Sequence, residues 1–348
     1  MRIIAVTNMY PTPQDPTLGT FVEQQINGLK QIGVTVETLL VDRVQNGMSA
    51  YFSIGRKLRL AMADVEPDIV HSMYGGVMAD MATRAVDAKP TVVSFCGDDL
   101  LGELLSGPVR KFISKYGIIA SYRAARRAKG IIVKSRNLEA ALPAGIPSSK
   151  VRIIPNGIDL DRFKPLDRDT CRLRLGWDSE KLNVLFPANT NDPRKRPELA
   201  RAAATEAQHL GVKVEIHQLR GVAHQEVPLW INASDAVLLT SLHEGSPNLI
   251  KEALACNVPV VSVDVGDVRE RIRGIDGCFI SEADPNDIAN KLRLVACGPR
   301  RVDSRDHVRD LSLQNVALRL KQFYEDLLQN DAPKKRPPFA STRLSDFC

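Results

Sequence analysis

The sequence predicts an α/β fold class in which two doubly wound, Rossmann-like domains face a central cleft. Three observations predict it. Short β-branched runs alternate with amphipathic helical segments along most of the chain. The alternation lapses in a polar stretch after residue 163 and then restarts. The length, 348 residues, exceeds one ordinary domain. A β–α–β alternation implies parallel strands, because a crossover helix returns the chain to the same end of the sheet.

The elements follow in order. RIIAVTN (2–8) is the first strand. Residues 20–33 form an amphipathic helix with Phe21, Ile26, Leu29 and Ile32 on its apolar side. Strands are expected at 34–41, 68–73, 90–95 and 130–135, and 151–163 closes this first series. The second series has strands at 183–188, 212–219, 235–241 and 258–264, with helices at 197–211, 226–234 and 248–256. The expected domains are 1–163 and 183–305, joined by a linker, 164–182. A helix at 306–329 is expected to pack back on the first domain, and the Pro-rich tail 330–348 is expected to be disordered.

Composition narrows the function. The net charge is +6 but aromatic content is only 5%, and no zinc finger, RNP-type motif or helix-turn-helix is visible, so nucleic acid is not an expected partner. The amino terminus reads as a strand rather than a signal peptide, and no apolar run is long enough to span a bilayer. Cys96, Cys171, Cys256, Cys278, Cys297 and Cys348 are scattered without CxxC or zinc spacing. From these features a cytoplasmic chain with no metal site and no cofactor is expected. Segment 107–130 carries seven Lys/Arg and no acid, interleaved with Phe112, Ile113, Tyr116, Ile118, Ile119 and Tyr122. One reading is a peripheral contact with an anionic membrane surface on its inner face. The other is a helix packed on the sheet with a solvated basic face.

The stretch HEGSPNLIKEALACNVPVV (243–261) holds two glutamates eight apart, Glu244 and Glu252, around a tight turn and a helix start. The turn lies at the carboxyl end of a strand, and Pro247 suits the start of the helix. A helix amino terminus aimed at a crevice favours an anion such as phosphate. A carboxylate accepts two O–H donors from a vicinal diol, which ribose and sugars both offer. The combination describes a nucleotide-sugar site. Alone, the pair also reads as a loop charge and a solvated helix residue.

The whole string resembles the E-x7-E signature of the retaining GT-B glycosyltransferases of family four. PDIVHSMYG (67–75), IPNGIDLDRF (154–163) and EVPLWINASDAVLLTSLHEG (226–245) also have counterparts there. The resemblance implies that Glu244 meets the donor sugar and Glu252 the ribose diol, with the backbone at Gly245, Ser246, Pro247 and Asn248 near the sugar or diphosphate. Lys195 matches the family's diphosphate-binding lysine. The family's arginine position holds Thr190, leaving Arg194 or Arg196 to substitute. Gly19 matches a loop glycine that lets the backbone approach the diphosphate, and it also reads as a plain loop glycine.

Two departures stand out. Cys96 occupies the position of a histidine that the family places at its reaction centre. His71 is a nearby candidate for the missing imidazole, and it also reads as a core histidine. Asp98 or Asp99 is a candidate to hold the acceptor hydroxyl, or to cap the following helix. Second, only one helix and one strand separate Lys195 from RGVAHQEVP, where a further βα unit is expected. The resemblance implies metal-independent transfer from a nucleotide sugar to a glycan or lipid-linked acceptor, in surface polysaccharide or glycolipid assembly. A GT-B epimerase or phosphorylase and a non-catalytic nucleotide-sugar binder are the competing readings.

Overall fold

A computed structural model describes residues 1–331 other than 13, 14, 16, 17, 48, 88, 105, 106 and 188–191. Thr190 and the expected tail from residue 332 on lie outside the described residues.

Two parallel sheets form the molecule. The first contains β1 (Arg2–Thr7), β2 (Thr35–Leu40), β3 (Ile69–Ser72), β4 (Thr91–Phe95), β5 (Gly130–Val133) and β6 (Val151–Ile153) in the order β2-β1-β3-β4-β5-β6. The second contains β7 (Leu182–Phe186), β8 (Val214–Gln218), β9 (Ala236–Leu239), β10 (Val260–Val263) and β11 (Phe279–Ser281) in the order β11-β10-β9-β7-β8. β3, β4, β5, β9 and β10 are buried along their whole length, as strands covered on both faces must be. Each strand order reverses once: between β1 and β3 in the first sheet, between β7 and β9 in the second. Such a reversal leaves a crevice at the strands' carboxyl ends, where α/β folds bind ligands. Here the two crevices face each other.

The polar segment expected as a linker is not irregular throughout. Its centre forms the helix Arg168–Leu175, which packs on the helix Val227–Ala233 of the second domain. The inward residues include Arg172, only 3% exposed, which is why the segment reads as polar. Arg172 donates from Nε to the Ala233 carbonyl at 2.8 Å and pairs with Asp235 at 2.5 Å, so its charge is used inside the fold.

The helix Leu313–Asp331 returns to the first domain. Val316, Ala317, Leu320, Phe323 and Tyr324 join the same core cluster as Ile3, Ile26 and Ile69. Each fully buried large apolar side chain is worth roughly 1.5–3 kcal/mol before entropy is charged. That suffices to clamp the end of the chain across the domain it started from. Arg305 ties the crossing by donating to the carbonyls of Leu160, Phe163 and Ala255.

Candidate active site

The wall on the C-terminal domain is built at its switch point. The loop after β7 delivers Arg194 and Lys195, and the loop after β9 delivers His243 and Glu244. Lys195 Nζ donates to Glu244 Oε1 at 2.5 Å, and Ser241 donates its hydroxyl to the same oxygen at 2.7 Å. Arg194 Nη1 lies 3.1 Å from Glu244 Oε2, and its other nitrogens reach Asp192 at 3.0 Å and Asp98 at 3.7 Å. Burial alone pushes the Glu244 carboxyl up, but Lys195 and Arg194 outweigh it and hold the group below the ordinary carboxylate range. Glu244 is therefore ionised at neutral pH and holds both cations at the mouth of the crevice.

Pro247, at φ −67°, introduces the helix Asn248–Ala255. Ser246 is 9% exposed and its hydroxyl donates to Asp267, so that side chain is spent inside the loop. Glu252 is half-buried and lines a cavity of about 280 Å³ with Asn248, Leu219, His224 and, from the other domain, Thr20, Phe21 and Gln24. Burial raises the Glu252 carboxyl to about 7, against the pull of Lys251 and Arg162.

The facing wall comes from separate loops. A second cavity, of about 110 Å³, is lined by Asn8 after β1, Tyr74 and Gly75 after β3, Asp98 and Asp99 after β4, and Arg43 and Ile113. Asp98 points into the cleft, 3.6 Å from His243 Nδ1 and 3.7 Å from Arg194; burial raises its carboxyl, with Arg194 and His243 opposing. Asp99 turns inward instead. It accepts from the backbone N–H of Gly75, Cys96 and Gly97 at 2.8–3.1 Å, and stitches two loops together. Burial raises it to about 6, those three N–H groups drawing it back.

The walls touch. Asn137 donates from Nδ2 to the Glu244 carbonyl at 3.0 Å, and the buried Lys251 donates to the Asn156 carbonyl at 3.1 Å. Gly245 packs against the Cys96 carbonyl so closely that any side chain there would collide with it. Gly19 sits in the left-handed region at φ 67°, with the Met9 and Tyr10 backbone where a Cβ would be. Its requirement is thus met by packing at the start of the helix Thr20–Gln31.

Two expected site residues are placed elsewhere. His71 is 1% exposed; its Nδ1 lies 2.7 Å from the Tyr324 hydroxyl and its Nε2 2.8 Å from the Ser94 hydroxyl. Burial lowers its pKa to about 3. It is a neutral core residue that receives the C-terminal helix, and it does not supply the missing imidazole. Arg196, with φ 50°, turns back to donate to the Thr240 and Ser241 carbonyls at 2.6 and 3.3 Å. Those bonds brace the end of β9 and leave Arg194 as the arginine in the cleft. His243 is the site residue that sequence reasoning passed over. It directly precedes Glu244, and both its ring nitrogens are buried without a hydrogen-bond partner among the described residues.

The second sheet ends at β8, and a single helix, Pro197–His209, connects β7 to it after the Pro193–Lys195 turn. The additional βα unit expected there is absent among the described residues. The helix Pro108–Arg127 divides in two. Its later half buries Ala120, Ser121, Ala124 and Ala125, with Arg123 and Arg127 on Asp80 at 3.0 and 2.5 Å. Its earlier half leaves Val109, Phe112, Ile113 and Tyr116 exposed on one face. No helix among the described residues is long and apolar enough to cross a membrane.

Known proteins align with this architecture. Residues 17–162 match the family described as Glycosyltransferase Family 4, and residues 190–296 match Glycosyl transferases group 1. The teichuronic acid biosynthesis glycosyltransferase TuaC of Bacillus subtilis (strain 168) is 25% identical over 332 residues, covering 77% of this chain and 82% of that protein. D-inositol 3-phosphate glycosyltransferase 1 of Catenulispora acidiphila is 26% identical, covering 63% of this chain and 59% of its own length. The counterpart in Mycobacterium tuberculosis (strain F11) is 27% identical, covering 52% and 44%. The chain thus spans about half the length of these inositol-phosphate relatives. Sucrose-phosphate synthase from Thermosynechococcus elongatus superposes with a TM-score of 0.76 at 16% identity, over 95% of this chain and 100% of that one. Anabaena Alr3699/HepE in complex with UDP and glucose superposes at 0.61 and 16%, over 94% and 98%. At these identities the superpositions establish the GT-B fold alone.

Proposed function

The chain belongs to the glycosyl transferases group 1, family 4, and from that premise we propose a retaining, metal-independent transfer from a nucleotide sugar to a glycan or lipid-linked acceptor, serving surface polysaccharide or glycolipid assembly. One observation carries the reading. Glu244 holds Lys195 and Arg194 at the second sheet's switch point, and Glu252 lines the adjoining cavity.

A donor diphosphate competes with Glu244 for the two cations. Its oxygens suit the Arg194 fork and the Lys195 ammonium, and the carboxylate so released accepts from hydroxyls of the sugar. As the bond to the sugar breaks, negative charge grows on the leaving diphosphate. Lys195, Arg194 and the amino terminus of the helix Asn248–Ala255 stand where that charge develops. Two positioned cations supply this stabilisation without a metal. Retention follows from attack on the face that the diphosphate leaves, with the diphosphate taking the acceptor proton.

The acceptor enters from the other wall, where Asp98 is the group within reach of an incoming hydroxyl, with His243 of the opposite wall 3.6 Å from it. The exposed apolar face of Pro108–Arg127 adjoins that wall through Ile113 and is flanked by Arg110, Lys111 and Lys115. That pairing of apolar and cationic groups supports peripheral binding to an anionic membrane on its cytoplasmic side. Sedimentation with anionic vesicles at low and high salt tests it, and no binding at low salt overturns it.

Thermal-shift measurements with UDP-, GDP- and ADP-sugars test the donor site. A ligand at about 100 times its Kd stabilises by about 2.7 kcal/mol, enough to raise Tm measurably. UDP-sugars come first, since one neighbour of the same fold is described with UDP and glucose. The expected result is a shift for one nucleotide class that Glu252→Ala abolishes. No shift with any of them overturns the reading.

A further inference from the structure

The cavity beside Glu252 is lined by both domains. If the ribose is held at Glu252, the base attached to it lies in this same space. Phe21, Leu219, Val222 and Leu249 give the cavity apolar walls that suit a flat ring. Gln24, on the helix Thr20–Gln31 of the first domain, meets His224 of the second across the cleft, with Nε2 of each 3.3 Å apart. His224 Nδ1 is buried and has no hydrogen-bond partner among the described residues. The ring is set by Phe163, whose centroid lies 5.7 Å away. Burial, chiefly, lowers the His224 pKa, so the imidazole is neutral and offers one donor and one acceptor. The Gln24 amide likewise offers both. Among the described residues no further βα unit lies beyond β8, which leaves the first domain to supply the opposing side.

We propose that Gln24 and His224 read the hydrogen-bonding edge of the donor's nucleobase from opposite sides of the cleft, so that base selection is made only by the closed pair of domains. The inference rests on the donor-site reading above and deepens it. The bond between the two side chains is exchanged for bonds to the base, so neither side chain loses a partner. A site built this way rejects a base whose donors and acceptors are misplaced, because Gln24 and His224 then lose their partners.

Titration calorimetry with UDP, GDP, ADP and inorganic pyrophosphate tests the proposal on the wild type, Gln24→Ala, His224→Ala and Glu252→Ala. The expected result is that Gln24→Ala and His224→Ala each weaken the preferred nucleotide by about tenfold, the loss of one or two net hydrogen bonds. The disfavoured nucleotides and pyrophosphate keep their affinity, so discrimination collapses. Glu252→Ala should weaken all three nucleotides alike and spare pyrophosphate. The two reader variants lie in different domains and on half-exposed side chains, so a folding defect in one does not remove the other. Equal losses for every ligand, pyrophosphate included, would reduce the pair to an interdomain latch and overturn the proposal. Retained discrimination, or a wild type that binds all three nucleotides alike, overturns it too. A wild type that binds no nucleotide overturns the donor-site reading itself.

Discussion

At the carboxyl ends of β7 and β9 the cleft wall is made of charged side chains that hold one another, Arg194, Lys195 and Glu244. At the carboxyl ends of β1, β3 and β4 the facing wall is assembled from separate loops, two of them joined by one buried carboxylate, Asp99. The two walls occupy equivalent switch points of similar sheets. On the proposed reading, their chemistry differs because their tasks differ. A diphosphate needs positioned positive charge whatever the rest of the donor looks like. An acceptor needs shape, which loops from several strands supply together. Asp98, half-buried, carries charge from this wall to Arg194 and His243 of the other.

The largest expected effect is on the charged wall. Lys195→Ala should lower kcat by about 10²–10³-fold, the range for losing one group that stabilises developing charge. Asp98→Ala should act mainly on the acceptor's KM. Initial rates of nucleoside diphosphate release, with acceptor varied, separate the two. Equal effects of the two substitutions on both parameters would erase the distinction between the walls.

A smaller effect belongs to Glu252. Its folded-state pKa of about 7, raised by burial, makes its charge change within the working range. In the proposed site the carboxylate is the form that accepts from both ribose hydroxyls, so binding favours the deprotonated group. As pH rises through 7 that group ionises, from roughly a tenth at pH 6 to roughly nine tenths at pH 8. Affinity for a nucleotide sugar should therefore rise by up to about tenfold across that window and then level off. A nucleotide sugar is the right probe, since its diphosphate has no terminal phosphate group to titrate there. Glu252→Gln should bind weakly with a flat profile; a profile that keeps its slope would assign the titration to another group.

The charged wall was largely legible in the sequence because its residues fall in two short strings, 194–196 and 243–252, each joined to a strand end by a tight turn. Within those strings, backbone geometry decided what residue type could not. Arg196 takes a left-handed conformation and swings its guanidinium onto the end of β9, while Arg194 two residues earlier faces the cleft. The facing wall was poorly legible because its members come from positions 8, 43, 74, 98 and 113, which only the fold brings together. Gln24 and His224 are 200 residues apart and lie in different domains, so only the fold brings them together. β11 went unread for a local reason: it is three residues long, too short to show an alternating pattern. The helix Arg168–Leu175 passed as linker because burying an arginine is uncommon without a partner, and its partner Asp235 lies 63 residues further on.

The smallest expected effect on catalysis is at His71, where the sequence offers a reaction-centre histidine and the fold offers a core one. Both ring nitrogens are engaged, one by Ser94 and one by Tyr324 of the returning C-terminal helix. His71→Phe keeps the ring's volume but strands two buried hydroxyls, which costs about 1–3 kcal/mol each if nothing repacks around them. Unfolding by urea should therefore shift to a lower midpoint, while kcat and both KM values stay within about twofold of wild type at temperatures where the variant is folded. A low pKa adds a second check. With a folded-state value near 3 against 6.5 unfolded, the neutral ring contributes stability that is fully present above pH 6.5 and declines as pH falls below it. The wild type should lose this contribution between about pH 6.5 and 3, and His71→Phe should not. A loss of kcat with an unchanged urea midpoint would return His71 to the reaction centre. The imidazole nearest the cleft would then no longer be His243, and the division of labour between the two walls would have to be redrawn.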